Sequence, residues 1–184
     1  MQLILASQSP RRKELLSEAG IPFTVVPSSY EEKGEGLSPE ETVRLFSAGK
    51  AEEVYSRFPQ AAVLGADTVV ALDGEIFGKP RTEDGAKEML RRLSGRTHSV
   101  FTGVCLMCGG VKKQAVCETC VTFYELSEEF IERYVQEARP MDKAGAYGIQ
   151  DGYRLVKSYE GSYTNVVGLP MELVREYLKE AKIC

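Results

Sequence analysis

Residues 3–13 read LILASQSPRRK and predict a strand that passes directly into a helix. The run at 3–6 is apolar, as a buried strand is. Ser9-Pro10 is typical of a helix N-cap followed by a first-turn proline. Residues 11–13 then place three cations in the first helical turn, where acidic residues are normally favoured. An unusual concentration of positive charge therefore follows the first strand.

The same turn offers the donors that an anion needs. A helix N-terminus has free backbone N–H groups, and the hydroxyls of Ser7 and Ser9 lie beside it. A phosphate chain fits both this charge and these donors. A solvated basic helix start with nothing bound is the alternative, and the spacing alone leaves both interpretations open.

The chain has the composition of a globular protein that dissolves in water. It has 184 residues, of which 43% are hydrophobic and 27% charged, and its formal net charge is −4. That charge argues against a general attraction to nucleic acid or to anionic membranes. No apolar run approaches the roughly 18 residues of a membrane span, and no signal peptide is recognisable. We expect one cytoplasmic domain over residues 1–184, without nucleic-acid or membrane partners.

Apolar periodicity and turn residues predict an α/β fold with a mixed sheet. A long antiparallel hairpin, with strands at 100–107 and 116–124 around Gly109-Gly110, interrupts an initial alternation of strands and helices. With no linker in the chain, we expect a single domain with two lobes around a central cleft. The other predicted strands lie at 2–6, 23–26, 61–66, 69–72, 75–78 and 154–159, and the predicted helices at 10–19, 38–58, 82–93, from 127 and 170–182.

Acids and lysines at the ends of strands and loops are the candidates for chemistry. Asp67 interrupts a long apolar strand, where a carboxylate needs a cation, a metal or hydrogen bonds. Glu31 and Glu32 lie in a loop, Lys50 borders the apolar stripe of a helix, and Lys79 stands between glycine and proline. Such carboxylates and lysines, with Mg²⁺ or Mn²⁺, suit metal-assisted attack on a phosphate ester. The chain has no Walker motif, which disfavours a P-loop enzyme.

Two C-x-x-C pairs, Cys105/Cys108 and Cys117/Cys120, have the spacing of zinc ligands. Both pairs lie in predicted strands, where residues three apart point to opposite faces. We therefore favour small buried hydrophobic residues on a hairpin, with a zinc site as the alternative. His98, the only histidine, is interpreted as structural because no serine has the context of a nucleophile.

Several motifs in this order resemble the Maf-like nucleoside triphosphate pyrophosphatases, also called septum formation inhibitor proteins. The resemblance covers nearly the whole chain and implies a fold similar to that of the inosine triphosphate pyrophosphatases, usually as a homodimer. It implies hydrolysis of a nucleoside triphosphate to the monophosphate and pyrophosphate with a divalent cation. The motifs are LASQSPRR at 5–12, GADT at 65–68, GKP at 78–80, LSG at 93–95, DKAGAYGIQ at 142–150 and VGLP at 167–170.

The resemblance also implies roles for individual residues. Asp67 would be the proton acceptor that activates water, and either Glu31 or Glu32 would join it in binding the metal. The residues implied to hold phosphates are Ser7, Arg12, Lys50 and Lys79, to which the donor argument above adds Ser9.

The resemblance separates two substrate branches, and this chain follows the one that acts on dTTP and UTP. The matching residues are Arg11, Thr68 and Gln150. The chain departs from the family pattern at Ser28-Ser29-Tyr30, before the acidic doublet, and in its extra cysteine pairs. A non-catalytic, nucleotide-sensing regulator of septation that binds through the same cleft is the alternative function.

Overall fold

The computed structural model describes residues 1–183 and contains a seven-stranded sheet with helices around it. The strands are β1 (Leu3–Leu5), β2 (Thr24–Val25), β3 (Ala62–Leu72), β4 (Glu75–Phe77), β5 (Thr97–Cys108), β6 (Val111–Phe123) and β7 (Val156–Glu160). The helices are α1 (Pro10–Glu18), α2 (Pro39–Arg57), α3 (Glu83–Leu93), α4 (Glu128–Ala138), α5 (Tyr163–Val167) and α6 (Met171–Glu180). Two short 3₁₀ turns, Pro140–Asp142 and Ala144–Ala146, lie between α4 and β7.

The sheet is mixed, which confirms the predicted α/β class. Its order is β2-β1-β3-β5-β6-β7, with β4 paired to β3. Strand β1 runs parallel to both of its neighbours, and the remaining pairs are antiparallel. Strands β5 and β6 form a long hairpin whose turn residues, Gly109 and Gly110, both have positive φ. The division into two lobes stays a prediction.

Several local features differ from the expectations. Ser9 does not cap α1 with its side chain; instead its backbone N–H donates to Ser7 Oγ at 3.2 Å. Strand β3 is continuous through Asp67, and β5 begins at Thr97, before the predicted start. Helix α5 was not predicted, because five residues carry too little periodicity. None of the described helices is long and apolar enough to cross a membrane.

Helix α2 begins where the sequence predicts and rests directly on the sheet. Ser38 and Glu41 form a capping box at its N-terminus. Below the helix, Gly65 of β3 and Gly103 of β5 carry no side chain, and a Cβ at Gly103 would overlap the backbone carbonyl of Val43. The two glycines therefore let the α2 backbone approach the strands closely.

We predict that Gly103→Ala destabilises the protein by roughly 1–3 kcal/mol or more, because the new methyl group would force α2 away from β5. The measurement is the free energy of unfolding in urea. Gly78→Ala is the matched control, since a Cβ there would meet no atom within 4 Å. A wild-type unfolding midpoint for Gly103→Ala would contradict the importance of this contact.

Candidate active site

A cleft of about 860 Å³ opens beside the end of β1 and the start of α1. Its size is within the range of sites for small molecules. Glu31, one of the predicted acids, does not line the cleft; it is exposed and forms an ion pair with Lys33. The other predicted site residues all line it: Ser7, Ser9, Arg11, Arg12, Glu32, Lys50, Asp67, Thr68, Lys79 and Gln150.

Lys50 lies between two carboxylates at one side of this cleft. Its Nζ is 2.6 Å from Asp67 Oδ1 and 2.6 Å from Glu32 Oε1. The three residues come from different elements, Lys50 from α2, Asp67 from β3 and Glu32 from the loop before α2. The Lys50 side chain is only 16% exposed, so the two carboxylates replace the water that would otherwise stabilise its positive charge. Lys50 is therefore a paired residue of the cleft rather than a surface lysine.

Asp67 is the buried acid of the cleft. Burial raises the pKa of its carboxyl group, whereas the positive charges of Lys50 and Arg12 act in the opposite direction. A carboxylate whose basicity is increased in this way is suited to accept a proton from a bound water. The environment of Asp67 is that of a buried, paired carboxylate rather than of an ordinary surface acid.

Arg12 is the buried arginine of the cleft and is held by three acceptors. Its Nε donates to the Gly168 carbonyl at 2.8 Å, its Nη1 to Ser7 Oγ at 3.1 Å and its Nη2 to Thr68 Oγ1 at 3.0 Å. Burial lowers the pKa of the guanidinium, which nevertheless remains charged at neutral pH. The remaining N–H groups of Arg12 are available to an anion in the cleft.

A hydroxyl network behind the cleft supports Arg12. Thr68 Oγ1 lies 2.9 Å from Thr102 Oγ1, its partner across β3 and β5, and Thr102 donates to the Asn165 carbonyl at 3.1 Å. Thr102 and Asn165 were not among the predicted site residues. The sequence gives no motif that would identify either residue, because their hydrogen bonds join residues far apart in the chain.

The glycine-rich stretch 142–152 forms part of the cleft lining. Asp142 accepts from Arg11 Nη1 at 2.6 Å, which links this stretch to α1. Asp151 connects the stretch to α4 and to Lys143, because it accepts hydrogen bonds from Tyr134 Oη at 2.7 Å and from Lys143 Nζ at 2.9 Å. Gln150 is exposed and faces the cleft. These bonds hold an irregular segment in one conformation.

His98 lies in the core rather than in the lining of the cleft. It is 3% exposed, and its Nε2 lies 2.8 Å from Tyr147 Oη. Burial lowers the pKa of His98 to about 4, so the ring is neutral at physiological pH. This environment supports the structural role expected for it.

The cysteines of the hairpin remain free thiols. Cys105 is buried, and Cys108, Cys117 and Cys120 are half-buried. Within residues 1–183, no three or more histidine, cysteine, aspartate or glutamate side chains are grouped so as to hold a metal ion. The hairpin thus presents no cluster of zinc ligands in the part of the chain that the structure describes.

Known proteins match this chain over almost its whole length. The family model described as "Maf-like protein" matches residues 2–181. A protein of Bacillus velezensis named dTTP/UTP pyrophosphatase is 50% identical over 99% of this chain and 97% of its own length. A protein of the same name from Symbiobacterium thermophilum is 51% identical over 97% of this chain and 93% of its own length. The Ham1 protein of Staphylococcus aureus matches with a TM-score of 0.47 and 15% identity over 70% of this chain and 73% of its own.

We predict that His98 makes the protein less stable as the pH falls from about 6.5 to about 4. Over this interval the unfolded chain binds a proton that buried His98 excludes, so roughly 3 kcal/mol of stability is lost by pH 4. His98→Gln keeps a hydrogen-bonding group near Tyr147 and removes the titration. Unfolding free energies at pH 7 and pH 4 should therefore differ less in the variant. An equal difference in both proteins would contradict the prediction.

Proposed function

The chain belongs to the Maf-like family, and from that membership we propose that it hydrolyses dTTP and UTP to the monophosphate and pyrophosphate. The observation that carries the proposal is the juxtaposition in one cleft of a buried carboxylate, Asp67, with the Arg12 guanidinium and the Lys50 ammonium. A base beside fixed cations is what hydrolysis of a phosphate anhydride requires. We infer that residues 1–184 form one such catalytic domain.

The triphosphate binds between the start of α1 and the lysines. Ser7, Ser9 and Arg12 hold it at the first helical turn, where backbone N–H groups and the guanidinium favour an anion. Lys50, from α2, and Lys79, from the segment after β4, also line the cleft and contact the triphosphate. All five side chains line the cleft, each with a positive charge or a hydroxyl, and the exposed Lys79 neutralises charge where the cleft meets solvent.

Asp67 accepts the proton of the attacking water. The water oxygen forms a bond to the α-phosphorus, the P–O bond to the β-phosphate breaks, and pyrophosphate leaves with that oxygen. Lys50, in contact with the Asp67 carboxylate, orients this base and balances its charge. The phosphate-binding cations stabilise the negative charge that moves onto the leaving group.

The residues present fit a divalent cation such as Mg²⁺ or Mn²⁺ that is shared with the substrate. Asp67 and Glu32 converge on one point, the Lys50 ammonium, and oxygen ligands from one or two carboxylates plus phosphates are typical of Mg²⁺ sites. When bound, the cation would neutralise phosphate oxygens and orient the water. We assign Glu32 to this role rather than Glu31, which lies outside the cleft lining and pairs with Lys33.

Arg11, Thr68 and Gln150 select the nucleobase in this proposal. All three line the cleft, and Gln150 carries both a donor and an acceptor for a pyrimidine edge.

Family membership further leads us to propose a homodimer and a cytoplasmic location, which sedimentation and cell fractionation would test. A role in septum formation would follow from control of nucleotide pools or from nucleotide sensing through the same cleft.

The first test is release of pyrophosphate from a nucleotide panel containing dTTP, UTP, CTP, dGTP and 7-methyl-GTP, with Mg²⁺ or Mn²⁺. We expect dTTP and UTP to be preferred. Activity that disappears in EDTA and returns with Mg²⁺ would support the cation site. Binding of nucleotides without turnover of any of them would instead support the nucleotide-sensing regulator.

We predict that Asp67→Asn lowers the turnover rate by roughly a hundredfold or more, because the amide cannot accept the proton from water. The shape of the side chain is retained, so the variant should fold and unfold much as the wild type does. Lys33→Met is the control, since Lys33 pairs with Glu31 on the surface, and it should keep wild-type activity. An active Asp67→Asn protein would remove the role assigned to Asp67.

A further inference from the structure

The segment Ser28–Tyr30, where the chain departs from the family pattern, is fastened to helix α2. Glu53 Oε2 accepts from Ser28 Oγ at 2.9 Å and from the Ser29 backbone N–H at 3.0 Å. Ser28 Oγ in turn accepts from the Tyr30 backbone N–H at 3.0 Å. This segment belongs to no helix or strand, so these bonds to α2 are what orders it locally.

The ring of Tyr30 lies directly on the backbone of Gly49. A Cβ at Gly49 would overlap the ring, with the Tyr30 Cδ2 atom only 2.7 Å away. The Phe46 ring lies next to it, with 6.3 Å between the ring centroids. A glycine inside a helix is unfavourable relative to alanine, and at this position the packed ring accounts for it.

The contact between Tyr30 and Gly49 lies next to the catalytic residues at both of its ends. Glu32 is two residues beyond Tyr30, and Lys50 directly follows Gly49. The Glu32 side chain is 48% exposed, and its carboxylate forms a 2.6 Å ion pair with Lys50. The Lys50 end of this pair is fixed by α2, but the half-exposed Glu32 end lies in a loop, which one ion pair orders only weakly. The packing of Tyr30, together with the bonds to Glu53, therefore supplies the order that brings Glu32 into the cleft.

We propose that Tyr30 is a positioning residue that, by packing on Gly49, holds the Glu32 carboxylate at the Lys50–Asp67 centre, with Glu53 anchoring the same segment. The inference rests on the proposed function, in which Glu32 helps to hold the cation and the triphosphate.

Three variants test the contact itself. Tyr30→Ala removes the ring, and Gly49→Ala expels it while making α2 a better helix former. We expect each to lower kcat/KM for dTTP by roughly tenfold to a hundredfold, as small misplacements of active-site groups do. Tyr30→Phe keeps the ring and should retain wild-type kinetics. Tyr159→Ala, on β7 and outside the cleft lining, is the matched control and should also be unchanged.

A double-mutant cycle with Glu32→Gln tests whether Tyr30 acts through Glu32. If it does, Tyr30→Ala causes no further loss of activity in the Glu32→Gln protein. Losses that multiply in the double variant would overturn the inference, as would wild-type kinetics for both Tyr30→Ala and Gly49→Ala.

Hydrogen exchange of residues 28–33 gives a readout that is independent of activity. Tyr30→Ala and Gly49→Ala should exchange faster there than the wild type and Tyr30→Phe, with α2 itself still protected. Unchanged exchange in both variants would overturn the inference even if activity falls. Failure of the wild type to hydrolyse any nucleotide, together with faster exchange in the variants, would instead count against the proposed function and leave the packing contact established.

Discussion

The ammonium of Lys50, held between Asp67 and Glu32, is the interaction on which the arrangement of the cleft depends. Lys50 is largely buried, and a buried cation is tolerated only with close partners of opposite charge. Its partners come from a strand and a loop, so all three elements must be placed correctly at once. That requirement links the chemistry of the cleft to the packing of α2 on the sheet.

Close packing of α2 makes this possible. Gly65 and Gly103 allow the helix backbone to lie on β3 and β5, so that Lys50 of the helix reaches Asp67 of the strand. In the same cleft, the Arg12 guanidinium is held by acceptors from three separate segments of chain. Both cations are thus placed before any anion enters, which reduces the cost of ordering them on binding.

Local sequence rules predicted the features that depend on neighbouring residues. The start of α2 at its Ser38 cap and the glycine turn between β5 and β6 both follow from a few adjacent side chains. Of the site residues that the motif resemblance named, all but Glu31 line the cleft. The choice between Glu31 and Glu32 could not be made from sequence, because adjacent loop residues have no fixed period. The partners of Arg12 and the short helix α5 depend on contacts between distant segments, which no local pattern contains.

The glycines under α2 also restrict how this protein can evolve. Because the helix backbone rests on the strands, one residue inserted within α2 would turn every later side chain by about 100° and carry Lys50 away from Asp67. The part of the loop between Glu32 and the cap at Ser38 carries no such restriction, and length changes there need only preserve the approach of Glu32. Variation among descendants of this chain should therefore collect in that loop, while the length of α2 between its cap and Lys50 stays constant.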